Sequence, residues 1–305
     1  VERILPLHEI ACVRVGDRRA HRLIDDITPV DISFKLGPRI NASGRVADAS
    51  LPLEMMLGDD FTTCYRAACE LNDINKERQD IERGVLEDAM KQVEENGYDS
   101  DPCVVVFDPR WHPGVVGIIA GKLSREFHRP VIVFGEEDSG FIKGSGRSVH
   151  GIDLVACLAE CADMLGSWGG HPMAVGVSVK SGGVDEFRRR INAAIIKKYG
   201  KDIDFSPKVN ISLTLDLSDV GIELLNELEI LHPFGEGNRE PIFALKSVKL
   251  HKAPEVFGGV NFRFQIPLGD NGWINAVAWR MAGRVPPADK SIDIAVKLGW
   301  NRWNR

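Results

Sequence analysis

The sequence lacks several features by which common classes of protein are recognised. Its six cysteines include no CxxC pair, which disfavours a zinc site or a disulfide framework and is typical of buried free thiols. No apolar run approaches the length that spans a bilayer, and no signal peptide is recognisable at the start. These absences indicate a soluble protein, and we expect a cytoplasmic location and no membrane partner.

The motifs of common hydrolase and nucleotide sites are also missing. The sequence has no Walker loop, no GxSxG elbow and no set of aspartates and histidines spaced for a two-metal centre. We therefore expect no metal ligand and no bound cofactor in this chain.

A basic charge balance is likewise absent. The 305 residues carry 44 acidic and 38 basic side chains, for a net charge of −6. This balance disfavours general coating of duplex DNA and favours a local binding site. Acidic residues are concentrated between Glu70 and Asp101, whereas basic residues outnumber acidic ones in the last thirty positions.

The chain is predicted to be α/β followed by β. Residues 1–58 contain short strand-like runs and then a loop rich in glycine and proline at 36–45. Residues 59–97 predict one long connecting helix, because apolar positions recur at helical spacing until Asn96-Gly97 stops them. Residues 98–201 alternate short apolar strands with amphipathic helices, which is typical of a compact α/β domain.

Residues 202–305 predict a small β domain, with a partly open barrel of the oligonucleotide-binding (OB) type as the expected architecture. A helix is predicted from about Val220 to Leu231, and four strand-like runs follow it. The chain begins at Val1 rather than methionine and ends soon after the last of these runs. We therefore expect a fragment of a longer protein, with the β domain incomplete.

Two glycine-rich segments carry the main functional signal. Residues 143–148 place Ser145, Gly146, Arg147 and Ser148 in a predicted turn, where backbone amides, hydroxyls and one cation suit a phosphate. About twenty residues later, Gly169, Gly170 and His171 form a second predicted turn, whose imidazole can bind a phosphate oxygen. Either segment could instead be a plain hairpin turn. Together they predict a site for a phosphorylated substrate.

Two further segments are candidates with structural alternatives. His112 stands where a strand passes into a helix, a place where free amides meet anions, but it could simply start the helix. Arg39, Asn41 and Arg45 lie in the predicted loop at 36–45, where Arg45 could stabilise charge on a phosphate under attack. These three residues could also cap neighbouring elements.

The remaining signals are weaker. The turn at 232–238 is interpreted as a joint between domains. Tryptophans 273, 279, 300 and 303 are more often core residues than base-stacking platforms, although an exposed one beside a basic residue would suit a single strand.

Taken together, six segments resemble the RecJ family, the single-strand-specific exonucleases of the DHH phosphoesterase superfamily. They occur in the family's order: LGPRINASGR (36–45), WHPGVVGIIAGKL (111–123), RPVIVFGEE (129–137), IKGSGRS (142–148), WGGHPMAVG (168–176) and HPFGEGNREPIF (232–243). The resemblance implies a DHHA1-type α/β domain at 98–201, joined by the connecting helix to a remnant of a DHH domain and followed by an OB-like domain.

The resemblance also implies a function. The parent enzyme would digest single-stranded DNA from the five-prime end in repair and recombination, using Mn²⁺ or Mg²⁺ held by a DHH domain whose motifs this chain lacks. Arg45 looks like the arginine that approaches the scissile phosphate, and Ser145 and Arg147 like residues that grip the strand. Single-stranded DNA, a single-strand-binding protein and a recombination helicase are the implied partners.

Two alternatives stay open. One is a non-catalytic scaffold that binds single strands, and the other is a relative that acts on short oligonucleotides. We expect the fragment alone to be inactive.

Overall fold

The computed structural model describes residues 29–301 except Ser139, residues 269–271 and Asp289. The chain divides into two compact units, Val1–Ser206 and Pro207–Arg305. The strand-like runs expected before residue 29, and Trp303, lie outside the described residues. The predicted domain limits stay predictions.

The first unit begins with helices. A short turn of helix at Pro29–Asp31 and a π-helical stretch at Ile32–Leu36 lead into α1 (Gly37–Val46) and α2 (Ser50–Leu57), and then into α3 (Phe61–Asn96). Asp60 caps α3 by accepting from the Thr63 amide at 2.8 Å, and Gly97 ends it at φ 67°. Helix α3 has 36 residues, close to the predicted helix.

The loop predicted at 36–45 was wrong, because these residues form helix α1. Pro38 lies in the first turn, where its missing N–H costs no hydrogen bond. Gly44 faces open space, so it weakens the helix without disturbing its packing. Ala42 and Ser43 are buried, and α1 packs on α3. Burial of this face outweighs the local breaker signal.

A five-stranded sheet forms the centre of the first unit. Its strands are β1 (Val104–Phe107), β2 (Val131–Asp138), β3 (Phe141–Arg147), β4 (Leu165–His171) and β5 (Ala174–Lys180), in the order β1-β2-β3-β5-β4. Strands β1 and β2 are parallel, and the other neighbours are antiparallel. Helix α4 (Pro113–Phe127) connects β1 to β2, and α5 (Leu154–Ala159) and α6 (Val184–Tyr199) precede β4 and follow β5.

Both predicted phosphate-binding turns are strands. The segment at 143–147 belongs to β3, which pairs with β2 on one side and β5 on the other. Gly169, Gly170 and His171 end β4. The glycines of β3 serve packing, since a Cβ on Gly144 would lie 2.5 Å from the Phe134 ring. Strand β3 lies inside the sheet, so its backbone amides serve the ladders on both sides and are not free for an anion.

Three side chains occupy the outer edge of β1. Gln92 of α3 bonds both the N–H and the C=O of Phe107 at 2.9 Å. Asn192 of α6 does the same for Cys103, at 2.7 and 3.2 Å. Arg188 donates to the Val105 carbonyl at 3.1 Å. Two amide side chains and one guanidinium thus take the place of a further strand and cover this edge.

The sheet is covered on both faces. Residues of α4 and α3, among them Ile119, Leu123 and Val93, pack on one face. Residues of α5 and α6, among them Leu158, Phe187 and Ile191, pack on the other. Five described cysteines are free thiols, and burial raises the pKa of Cys157 to about 11. None of the helices in the described ranges combines the length and hydropathy needed to cross a bilayer.

The second unit contains helix α7 (Ile222–Ile230) and two three-stranded sheets. One has the order β11-β7-β6, from Ser291–Val296, Phe243–Lys249 and Leu213–Leu215. The other has the order β10-β9-β8, from Trp273–Ala278, Asn261–Pro267 and Glu255–Phe257. The four predicted strand runs correspond to β7, β9, β10 and β11, whereas β8 was not predicted. The described residues form no closed barrel.

Candidate nucleic-acid interface

Helix α4 presents three glycines on one face, at Gly114, Gly117 and Gly121. A Cβ on Gly114 would lie 2.2 Å from the Arg45 carbonyl oxygen. A Cβ on Gly117 would lie 3.1 Å from Ser145 Oγ and 3.4 Å from Arg147 Nη2. Because no side chain intervenes, α4 lies directly against the α1 backbone at one end and the β3 side chains further along. The spacing of three and four residues was readable in the sequence, but we did not predict this face.

Arg147 lies half-buried under this glycine face. Its Nη1 donates to Ser145 Oγ at 3.1 Å and to the Gly146 carbonyl at 2.8 Å. Burial lowers the pKa of the Arg147 guanidinium below its ordinary value, and the nearby charge of Arg45 lowers it further. The two arginines predicted from separate segments are therefore neighbours.

Arg45 is exposed on α1 and reaches α4, where its Nη1 donates to the Gly114 carbonyl at 3.0 Å. Among the described residues, neither Arg45 nor Arg147 forms an ion pair with a carboxylate. Two neighbouring cations without a counter-ion form a positive site that favours an anion such as a phosphate.

His171 and Gly169 lie on the same face of the sheet as the arginine. Arg147 pairs with Ala174, and Ala174 pairs with His171 on the other side, so the three side chains share a face. The next row contains Ser145, Gly176 and Gly169. A Cβ on either of these two glycines would meet nothing within 4 Å. These two rows form an open shelf beside Arg147, and the sugar-phosphate backbone of a nucleic acid can approach this shelf closely.

His112 caps helix α4. Its Nδ1 accepts from the Gly114 amide at 3.0 Å, which leaves Nε2 as the protonated nitrogen of the neutral ring. The structural alternative for His112 is therefore present in the structure, and Nε2–H is left as a donor for a ligand.

Three residues predicted as strand contacts, Gly146, Ser148 and Gly170, have structural roles. Gly146 is buried, and a Cβ there would lie 2.6 Å from Val175 and 2.9 Å from Leu154. Ser148 is buried, and its hydroxyl donates to the Ile152 carbonyl at 2.7 Å. Gly170 has φ 135°, and a Cβ would lie 2.3 Å from the Ala174 carbonyl oxygen, so only glycine fits. The roles of Gly146, Ser148 and Gly170 as strand contacts stay predictions.

Arg39 and Asn41 have different surroundings in the structure. Arg39 donates through Nε to Asn72 Oδ1 at 2.5 Å and through Nη1 to the Lys35 carbonyl at 2.6 Å. Burial lowers the pKa of Arg39 below its ordinary value. Arg39 is thus a brace between α1 and α3, and its role as a strand contact stays a prediction. Asn41 is exposed one turn before Arg45, on the same side of α1.

The second unit exposes an aromatic face on strand β10. Trp273 is 65% exposed and Trp279 is 62% exposed, and Phe257 meets Trp279 edge to face at 5.9 Å. On the same face, Arg263 makes two hydrogen bonds to Glu255, at 3.0 and 2.9 Å. Because this pair neutralises itself, the face offers flat aromatic surface more than net charge.

Two family models match this chain, one in each of its two units. The DHHA1 domain model matches residues 100–197, and the RecJ OB domain model matches residues 211–305. The single-stranded-DNA-specific exonuclease RecJ of Bacillus subtilis (strain 168) is 32% identical over 305 residues, 98% of this chain and 38% of that protein. RecJ of Escherichia coli (strain K12) is 31% identical over 303 residues, 96% of this chain and 51% of that protein.

The chain therefore contains a DHHA1 domain and a RecJ OB domain and is similar to RecJ proteins along almost its whole length. A crystal structure of RecJ in complex with Mn²⁺ from Thermus thermophilus matches it with a TM-score of 0.80 and 28% identity, over 97% of this chain and 43% of that one. The predicted fold class, a DHHA1-type α/β region followed by an OB-like domain, is confirmed. The chain spans about half, or less, of the length of the RecJ proteins it matches.

Divalent metal accompanies RecJ in two of the similar structures, one with Mn²⁺ and one with Mg²⁺. In the part of this chain that the structure describes, no three His, Cys, Asp or Glu side chains lie together in a way that could hold a metal ion.

Proposed function

We propose that this chain is the strand-gripping part of a single-strand-specific exonuclease that digests DNA from the five-prime end in repair and recombination. The observation that supports it best is the pair of neighbouring guanidinium groups, Arg45 and Arg147, beside an open glycine shelf. A single strand is flexible enough for consecutive phosphates to approach such a shelf. In this proposal, Mn²⁺ or Mg²⁺ is bound outside the described residues.

The residues divide the work by position. Arg147 is anchored by Ser145 and the Gly146 carbonyl, so it suits a fixed contact to the strand backbone. Arg45 is exposed on a helix surface, which suits contact with the phosphate under attack. His171 and the His112 Nε2–H supply further donors. The proposal also includes a cytoplasmic location and two partners, a single-strand-binding protein and a recombination helicase.

We predict that Arg147→Ala weakens single-strand binding by about tenfold to one-hundredfold, the value of a charge-assisted hydrogen bond. Loss of one phosphate contact lowers the slope of log affinity against log salt by about 0.7 for a single strand. Fluorescence anisotropy with a labelled oligonucleotide at several salt concentrations measures both.

Arg189→Ala is the matched control. It removes the same charge from α6, where the Arg189 side chain is 75% exposed and pairs with Glu186. We expect a nearly unchanged affinity. An Arg147→Ala protein with an unaltered salt slope would remove this residue from the strand contacts.

The exposed tryptophans of the second unit allow the length of the bound nucleic acid to be tested by fluorescence. We predict that tryptophan fluorescence responds to strands of about ten nucleotides and not to mononucleotides, and that Trp273→Ala lowers affinity by about 1–3 kcal/mol, the value of one stacked base. Val256→Ala is the control, because Val256 is exposed on the same sheet but pairs with the buried Phe262. An equal response to mononucleotides would favour the alternative substrate, short oligonucleotides.

A further inference from the structure

Helix α3 makes a polar contact with each of the two helices beside the arginine pair. Asn72 accepts from Arg39 of α1 at 2.5 Å. Ten residues later, the Glu82 carboxylate binds Arg78 of its own helix through one oxygen and Lys122 of α4 through the other. Helices α1 and α4 also touch each other where Arg45 donates to Gly114. The three helices are therefore joined pairwise in a closed triangle.

Two members of this cluster, Glu82 and Arg78, are largely buried, which is unusual for charged groups. The side chain of Glu82 is 6% exposed and that of Arg78 is 13% exposed. Arg78 also donates to Asn75 at 2.9 Å. A buried ion pair is weak evidence for stability, because the loss of hydration offsets the attraction. Its better attested role is to fix the register of two elements.

The register fixed here is that of the α4 glycine face. Lys122 follows Gly121 directly, and a Cβ on Gly121 would lie 3.9 Å from Arg147 Cγ. The contact between Lys122 and Glu82 therefore sets the rotation of α4 about its axis and its height along β3. A shift of α4 would change the space above Arg147 and the position of Gly114 against Arg45.

The arginine pair needs such a restraint. Arg45 and Arg147 repel each other, and among the described residues no carboxylate stands between them. Without a bound anion, repulsion favours any rearrangement that moves α1 away from α4. Contacts to a third helix oppose that rearrangement.

We propose that Glu82 is a positioning residue, whose contact with Lys122 acts with the Asn72–Arg39 contact to hold Arg45 and Arg147 together for one DNA strand. This inference rests on the proposed function. It assigns a part in binding an anion to a buried carboxylate that forms no ion pair with Arg45 or Arg147 among the described residues.

Glu82→Gln tests the inference, because two explanations predict opposite changes in DNA affinity for this variant. Removal of a negative charge makes the chain less acidic, so general electrostatics predicts tighter DNA binding. Positioning predicts the opposite, which is binding weaker by about tenfold with the salt slope lower by about 0.7, as for the loss of one phosphate contact. Unchanged or tighter binding by a folded Glu82→Gln protein overturns the inference.

Lys122→Met provides a second variant whose fold is better protected. Glu82 keeps its partner Arg78, and the Lys122 side chain is 40% exposed. We expect about tenfold weaker binding, rescued by Lys122→Arg, which can reach the same carboxylate. In an Arg147→Ala background, Lys122→Met should cause no further loss, because both changes act on one contact.

Additive losses, or a lower melting temperature with an unchanged salt slope, would show that the cluster is only structural. A Lys122 that touches DNA itself would give weaker binding in Lys122→Met and tighter binding in Glu82→Gln, which also overturns the inference. Failure of the unmodified chain to bind single strands, or an inert Arg147→Ala change, would contradict the proposed function instead.

Discussion

Arg45→Ala is expected to lower the turnover of the whole enzyme by about one-hundredfold to one-thousandfold, while single-strand affinity falls much less. This range is typical for loss of one donor that stabilises charge in the transition state. The geometry supports a separate role for Arg45, because its guanidinium is exposed and, within the described part of the chain, only one of its nitrogens is held, by the Gly114 carbonyl. Single-turnover hydrolysis of a labelled strand with Mn²⁺, beside a binding assay, separates the two quantities.

Two comparisons sharpen this result. Arg45→Lys keeps the charge but loses the planar fork, so we expect an intermediate turnover. Arg66→Ala removes an exposed arginine of α3 that pairs with Glu54, and it should leave turnover unchanged. Equal losses of turnover and affinity in Arg45→Ala would mean uniform binding rather than a transition-state contact. A whole protein that binds strands without hydrolysing them would favour the scaffold alternative.

Gly114→Ala is expected to have the other large effect, about one-hundredfold on activity, without removing any polar group. Its new Cβ would lie 2.2 Å from the Arg45 carbonyl oxygen and 2.9 Å from the carbonyl carbon. These atoms are backbone, so no side-chain rotation relieves the clash and α1 must move away from α4. A displacement of about 1 Å at a catalytic group is enough for a loss of this size.

Gly84→Ala is the matched control for that change. Gly84 lies inside helix α3 with nothing within 4 Å of its added Cβ. We expect it to stabilise the protein by about 0.5–1 kcal/mol, whereas Gly114→Ala destabilises it by about 1–3 kcal/mol. Thermal unfolding and hydrolysis measured on both proteins check the pair. Full activity in a folded Gly114→Ala protein would show that the contact between α1 and α4 does not position Arg45.

Periodicity was sufficient to predict much of the fold. The long apolar repeat gave α3 to within about two residues, and the continuous apolar runs gave β1 and β2. Residues Arg147 and His171 were predicted to act together, and the structure puts them on one face of the sheet, with β5 between their strands. The functional roles of these residues stay predictions.

Glycine and proline gave wrong predictions of secondary structure where tertiary packing determines it. Gly144 and Gly146 lie inside a central strand because Phe134, Val175 and Leu154 fill the space where side chains would be. The same holds for α1. Its proline and glycines predicted a loop, but its buried face packs on α3 and the segment is a helix. Arg39 could not be recognised as a brace, since its partner Asn72 is 33 residues away. Contacts of that kind leave no trace in local sequence.

The occupied outer side of β1 limits how copies of this sheet can associate. Gln92, Arg188 and Asn192 already satisfy the backbone groups that a neighbouring molecule would use. Addition of a strand at this edge would have to displace those three side chains first, so the covered edge protects the sheet against edge-to-edge association.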